Sequence, residues 1–218
     1  MKYMILVLSI ICVLGYACSD DNDEKEIPVI HPEAEGTWVN PQDGNTYHWV
    51  RYGNQDWLCE NMRTETAPGT FFKDEKYITE ENLSKYGYVY TFEGANSLAV
   101  EEWRLPTDED WKALEHHLGM SRQDCDAEEW RGDFEGQLMM QGNTGSGLGL
   151  TCSGYYYTTG GSGVRNFMVD GIYWTSTLDS RTSGYAWTRM ISYNRSDIRR
   201  FSMMTAKGLS VRLVRDVK

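Results

Sequence analysis

The chain has 218 residues, 40% hydrophobic and 24% charged, proportions that exclude a disordered chain and a multi-span membrane protein. A formal charge of −11, from 21 basic against 32 acidic residues, excludes a nucleic-acid binder, whose affinity rests on neutralising phosphates with Lys and Arg. Aromatic residues reach 13%, with eight Trp and fourteen Tyr, and favour a β-rich or loop-rich body.

Residues 1–17, MKYMILVLSIICVLGYA, read as an export signal. Lys2 supplies the positive n-region, and Met4 to Leu14 form an apolar run of eleven interrupted only by Ser9, too short for a mature membrane span. The stretch Leu14-Gly15-Tyr16-Ala17-Cys18 resembles a bacterial lipobox. That resemblance implies cleavage before Cys18, diacylglycerol on its sulfur, and outer-membrane lipid as a partner of the acylated Cys18. An ordinary secretory signal is the alternative. Residues 18–35 carry seven acids and one Lys, too little apolar surface to offset ordering entropy, so they read as a solvated tether. An acidic run beside the lipidated cysteine is similar to the surface-export signal of Bacteroidetes lipoproteins. It implies an outer-membrane, surface-exposed location, with the periplasmic face as the alternative.

Cys12 leaves with the signal and Cys18 takes lipid, so Cys59, Cys125 and Cys152 remain. At most one disulfide can form among them, and its partners are not fixed by sequence. Cys59, inside Trp57-Leu58-Cys59, reads as a small buried hydrophobe.

Pro28 and Pro32 end the tether, and a single domain is expected over 36–218. Its charge is uneven: residues 189–218 hold eight basic and two acidic side chains, whereas 36–188 hold 11 and 23. The basic C-terminal segment is expected to pair with the acidic remainder inside one fold; a surface patch for an anion is the alternative.

Taking the elements in order, Asp43-Gly44-Asn45 and Gly53-Asn54 are turn signals between short strands around Thr37–Val39, Thr46–Tyr52 and Gln55–Leu58. Tyr86 to Phe92 predicts a strand with Tyr88, Tyr90 and Phe92 on one face. The period then changes. Thr107 with Asp110 predicts a helix N-cap, the following acids favour the positive end of its dipole, and Trp111, Leu114 and Leu118 share one face. Gly119 can close this helix. Ser121 with Asp124 opens a second, shorter helix that is expected to end near Trp130. A Gly-rich region from Gly142 to Gly163 reads as a mobile loop, interrupted by Tyr155-Tyr156-Tyr157. Strands around Ile172–Ser176, Tyr185–Ile191 and Leu209–Val214 close the chain. Strands, then helices, then strands indicate α+β.

Several segments together resemble the Fibrobacter succinogenes major paralogous domain: Asp43-Gly44-Asn45-Thr46-Tyr47, Gln55-x-Trp57-x-x-Glu60-Asn61-Met62, Tyr86-Gly87-x-x-Tyr90, Trp103-Arg104-Leu105-Pro106-Thr107-x-x-x-Trp111, Gly171-x-Tyr173-Trp174-x-Ser176 and Gly208-x-Ser210-Val211-Arg212-Leu213-Val214. The resemblance covers about 36–216. It implies a single C-type lectin-like domain with short antiparallel sheets, two helices and long loops, and it implies no common activity. The same residues also have a packing role. Trp103, Leu105 and Trp111 bring apolar surface to the helix–sheet junction. Arg104 and Arg212 suit carboxylates or carbonyls, and Glu60-Asn61 suits the capping of loop backbone.

No catalytic residue is assigned. No serine sits in Gly-x-Ser-x-Gly, the glycines at 142, 145, 147 and 149 fit no phosphate-binding loop, and His116 and His117 are adjacent, unlike a ligand pair at i, i+4. Formylglycine-generating enzymes, which have a related fold, work through late cysteines, and none follows Cys152. No metal site and no cofactor are expected. The expected function is therefore a lipid-anchored surface binding module for a glycan or protein. Its candidate contact residues are Arg165 and Asn166 in the loop 160–170, and Tyr193, Arg195 and Arg199 in the loop 191–200, as donors and stacking faces. The alternatives are an enzyme or accessory protein of polysaccharide processing, which needs a carboxylate pair about a cleft, and a structural component of a surface assembly.

Overall fold

A computed structural model describes residues 27–66, 71–72, 76–77, 79–142, 145–157 and 163–217. The expected export signal, Cys18 and the acidic run through Glu26 lie outside the described residues.

Strands β1 (Ala34–Val39), β2 (Thr46–Tyr52) and β3 (Gln55–Leu58) form an antiparallel meander. Its second turn is the two residues Gly53-Asn54 between the paired Tyr52 and Gln55, and Gly53 takes φ +57 there, a region that costs a side chain but not glycine. Next come β4 (Phe71–Phe72), α1 (Glu80–Tyr86), β5 (Val89–Tyr90) and α2 (Phe92–Asn96). These are followed by α3 (Asp108–His117), α4 (Arg122–Asp126), β6 (Glu129–Arg131) and α5 (Glu135–Met140). The last strands are β7 (Tyr155–Tyr157), β8 (Gly163–Arg165), β9 (Asp170–Leu178), β10 (Tyr185–Ser192), β11 (Ile198–Met204) and β12 (Val214–Asp216).

The order is α+β, as expected, with two four-stranded sheets, β1-β2-β3-β12 and β6-β11-β10-β9, and two small hairpins, β4-β5 and β7-β8. Every strand pair is antiparallel. The final strand returns to β3, Val214 facing Trp57, so the two ends of the body share one sheet. Apolar residues gather into two cores. Trp57 and Trp111 meet edge-on at 5.0 Å in one, with Leu114, Leu118 and Tyr173 around them. Trp103, Leu105, Trp174 and Leu213 fill the other. Edge-to-face ring pairs of this kind add about 0.5–1.5 kcal/mol beyond their buried area.

Helix α3 carries the predicted start. Thr107 Oγ1 accepts from Asp110 N at 3.0 Å and the Asp110 carboxylate accepts from Thr107 N at 2.6 Å, a reciprocal capping box.

Six expectations need correction. The closing strand expected over Leu209–Val214 is β12, Val214–Asp216, with Leu209 and Ser210 only in isolated bridges. The helix opened by Ser121 stops at Asp126, and Trp130 lies in β6. The described residues contain five helices, not two: Thr79 and Thr91 cap the short helices α1 and α2, too short to show a helical period, and α5 is a single short stretch with no side-chain cap to announce it. The strand expected from Tyr86 to Phe92 is only Val89–Tyr90, since Phe92 begins α2. The ordered body starts before Gly36: Ile27 and Ile30 pack on the first core, and Glu33 N donates to Arg51 O at 3.0 Å. Residues 198–204, placed partly in a loop, are the strand β11, and 163–165 are β8.

Candidate functional site

Charge fixes the frame on which any site must sit. Arg189, fully buried, donates from Nη1 to Asp108 Oδ1 at 2.7 Å and from Nε to Glu115 Oε1 at 2.6 Å. Arg131 reaches the other oxygen of Glu115 at 2.6 Å, and Arg200 reaches Asp108 Oδ2 at 2.7 Å. Arg215 donates to Asp56 at 2.9 Å. The basic C-terminal segment thus pairs with acids of the earlier chain, as its charge balance predicts. Burial alone would raise the Asp108 pKa, but hydrogen bonds and charge from Arg200 and Arg189 outweigh it and hold the carboxyl at about 2. Isolated buried charges are costly, and hydrogen-bonded pairs of this geometry offset much of that cost.

The five candidate contact residues do not form one surface of free donors. Arg165 ends β8. Asn166, at φ +52, donates from Nδ2 to Asp170 Oδ2 at 2.6 Å, which ties down its own loop. Tyr193 is 66% exposed and its backbone N donates to Val169 O at 2.9 Å, placing it at the same end as Asn166. Arg195 folds onto Asp197 at 2.7 Å and over the Trp130 ring at 4.1 Å. Arg199 lies within β11, donating from Nε to Glu129 at 2.6 Å and stacking on Phe201 at 4.4 Å. Asn166 and Tyr193 lie at the same end, each bonded to the Val169 backbone; Arg195 and Arg199 are paired with acids of their own chain at the surface.

A different feature has the shape of a site. An open cleft of about 860 Å³ lies against β1 and β2, lined by His31, Glu35, Thr37, His48 and Glu60 among others. Strand register puts Glu35 beside Val50 and Thr37 beside His48 on one face of the meander. Glu60 is fixed from two sides: its Oε2 accepts from His48 N at 2.8 Å, and its Oε1 lies 2.6 Å from His48 Nδ1. The opposite wall is Gly145 and Gly147 of the Gly-rich segment. Expected as a mobile loop, the described part of that segment is held. Ser146 Oγ donates to Leu138 O at 2.6 Å, the Tyr52 hydroxyl donates to Ser146 O, and Leu148 and Leu150 are in the core. A Cβ on Gly147 would lie 3.0 Å from Val50 Cγ1 at φ +74, so glycine is what lets this wall approach the sheet.

The family described as the Fibrobacter succinogenes major domain matches residues 50–215. This chain belongs to that family. No curated protein and no solved structure matches it.

Within the Fibrobacter succinogenes major domain the motif residues hold the fold. Arg104 clamps Asp110 at 2.5 Å and Asp216 at 3.0 Å, tying the start of α3 to β12. Arg212 donates to Leu58 O at 2.9 Å, to Leu148 O at 2.7 Å and to Gly149 O at 2.7 Å, so the same side chain anchors β3 and the Gly-rich wall. Asn61 donates to Tyr86 O and to Ser153 Oγ, both at 2.8 Å. Most of the cleft's floor, from His31 to Trp49, precedes the matched span, whereas Cys59, Glu60 and the glycine wall lie inside it.

The groups near the cleft are not activated for covalent chemistry. Burial pushes the Cys59 thiol up to about 12; Arg212 opposes the shift, and Glu60 and Glu35 add to it. Burial likewise raises Cys125 and Cys152 to about 11, and all three are free thiols. A nucleophilic cysteine needs the opposite shift. Among the described residues no three His, Cys, Asp or Glu side chains are grouped to hold a metal ion, and no helix is long and apolar enough to cross a membrane.

Proposed function

We propose that this protein is a lipid-anchored component of a bacterial outer surface, attached through Cys18, whose body is a non-catalytic recognition module for a glycan or protein ligand. The single observation that carries the reading is the roughly 860 Å³ cleft between the β1–β2 face and the fixed glycine wall, large enough for several ligand groups and lined by both polar and apolar atoms. Glu60 is held in place beforehand by His48, and such preorganisation lowers the cost of binding. The raised thiols and the lowered carboxyls of Asp108 and Asp110 favour recognition over acid–base or nucleophilic catalysis. The C-type lectin-like arrangement is part of this reading, and the first and last strands, β1 and β12, lie at the two edges of one sheet.

The chain between Cys18 and Ile27 spans at most about 30 Å when fully extended, and His31 and Pro32 line the cleft. The ligand seat therefore lies close to the anchoring membrane.

Arrays of glycans and peptides, probed with the full chain and with Thr37→Trp, test the module. Thr37 is exposed on the cleft floor, so a bulky ring there fills the seat without disturbing a core. Binding lost in the variant at unchanged Tm is the expected result; binding indifferent to it, or turnover of an arrayed polysaccharide, contradicts the reading.

A further inference from the structure

The lining of the cleft contains the carboxylates of Glu35 and Glu60, the imidazoles of His31 and His48, and no Lys or Arg. The Glu35 carboxylate has no hydrogen-bonding or ion-pair partner among the described residues, whereas Glu60 is oriented by His48. Both carboxylates line the same cleft, as does Cys59, and both raise the Cys59 thiol. A phosphate or uronic acid entering there meets two like charges, and a cation meets two opposite ones.

Backbone is the second observation. Gly36 has no side chain, so where it lines the cleft the surface is the β1 main chain itself. Strand β1 is the edge of its sheet, and no described strand pairs with its outer side. An edge strand offers a row of N–H and C=O groups to an extended peptide.

The third observation separates a peptide from an amino sugar. Sugars are commonly held against a flat aromatic face. The aromatic ring nearest the floor, Trp49, is not free to offer one: Gly36 sits so close that a Cβ there would be 2.5 Å from the ring, and Arg51 and Arg215 lie 5.5 and 5.2 Å from its centroid.

We propose that the cleft takes a lysine side chain from an extended segment of a partner protein, its ammonium set between Glu35 and Glu60 and its backbone running beside β1. This rests on the recognition-module reading and names the ligand chemistry of that module.

The test titrates the full chain with the peptide acetyl-Val-Lys-Val-Lys-Val-amide, with the same peptide bearing Nε-acetylated lysines, and with a glucosamine tetramer. The expected result is that the lysine peptide binds roughly tenfold or more tightly than the acetylated peptide, and that Glu35→Gln with Glu60→Gln, or added salt, removes most of that difference. Both carboxylates are at the surface of the cleft, so the double variant is expected to keep its Tm, and Thr37→Trp supplies an independent block. Equal affinity for the acetylated peptide, or lysine-peptide binding unchanged in the double variant, overturns the proposal. Tighter binding of the glucosamine tetramer assigns the ammonium to a glycan and overturns the protein partner. No binding of the lysine peptide overturns the proposal too, while an array signal lost in Thr37→Trp leaves the recognition module standing.

Discussion

Arg212 Nε donates to Asn61 Oδ1 at 2.6 Å, joining residues 151 positions apart in the chain, and both side chains are almost wholly buried. This bond ties the last motif of the domain to an early one. The other donors of Arg212 hold the carbonyls of Leu58, Leu148 and Gly149, so one guanidinium sets the distance between β3 and the glycine wall of the cleft.

Replacing Arg212 with Ala strands several buried acceptors at once, each costing about 1–3 kcal/mol when left unsatisfied. The expected loss is about 3–5 kcal/mol in chemical denaturation. Arg212→Lys keeps the charge but not the fork. It is expected to lose less stability and to show faster hydrogen exchange over 145–150, because the wall is then held by fewer bonds.

The Asp108 carboxyl sits at about 2, below its ordinary value of 3.8. A group depressed in the folded state contributes stability above its unfolded pKa and loses it as pH falls through the folded one. The shift corresponds to about 2 kcal/mol, fully present above pH ~5 and lost between about pH 4 and 2. Asp108→Asn is expected to flatten the fall in Tm across that window, and Tm against pH measures it.

Burial at Cys59 predicts a slow thiol. At about 12, against an ordinary thiol near 8.5, its thiolate fraction at pH 8 is lower by about three orders of magnitude. Alkylation with iodoacetamide, followed residue by residue in the mass spectrometer, should show this. Because Glu60 and Glu35 push the thiol upward, Glu35→Gln and Glu60→Gln are each expected to speed its alkylation.

Gly36 is a packing requirement. A Cβ at this position would lie 2.5 Å from Trp49 Cζ2 and 2.7 Å from Cε2. Gly36→Ala must displace the indole, with an expected cost of about 1–3 kcal/mol, read as a shift in the denaturation midpoint with m unchanged.

Local chemistry was the readable part of this sequence. Thr107 with Asp110, followed by Trp111, Leu114 and Leu118, specifies a capped amphipathic helix within one stretch, and α3 is that helix. The uneven charge of 189–218 foretold internal pairing because the total must balance somewhere in a compact body. Strand β11 was hidden for the same physical reason. Its Arg199 and Arg200 make Ile198–Met204 look like a polar loop until Asp108, 92 positions before Arg200, is known to receive that charge.

The cleft was illegible because its lining comes from separate short stretches, around 31–37, 48–50, 59–60 and 145–147. His48 and Glu60 are 12 residues apart and meet only through the β2–β3 turn. Glu60 had a visible role as a backbone cap, and it does accept from His48 N. What sequence could not give is that the glycine segment folds back as a fixed wall, which depends on Tyr52 and Arg212 reaching it from elsewhere.

Hydrogen exchange of the full chain with and without its best-binding array ligand addresses the seat of recognition directly. Protection is expected over 34–39 and 145–150, on the two walls of the cleft. Protection confined instead to 163–170 and 192–199, the segments of Asn166 and Tyr193, contradicts the cleft and returns recognition to that end of the molecule.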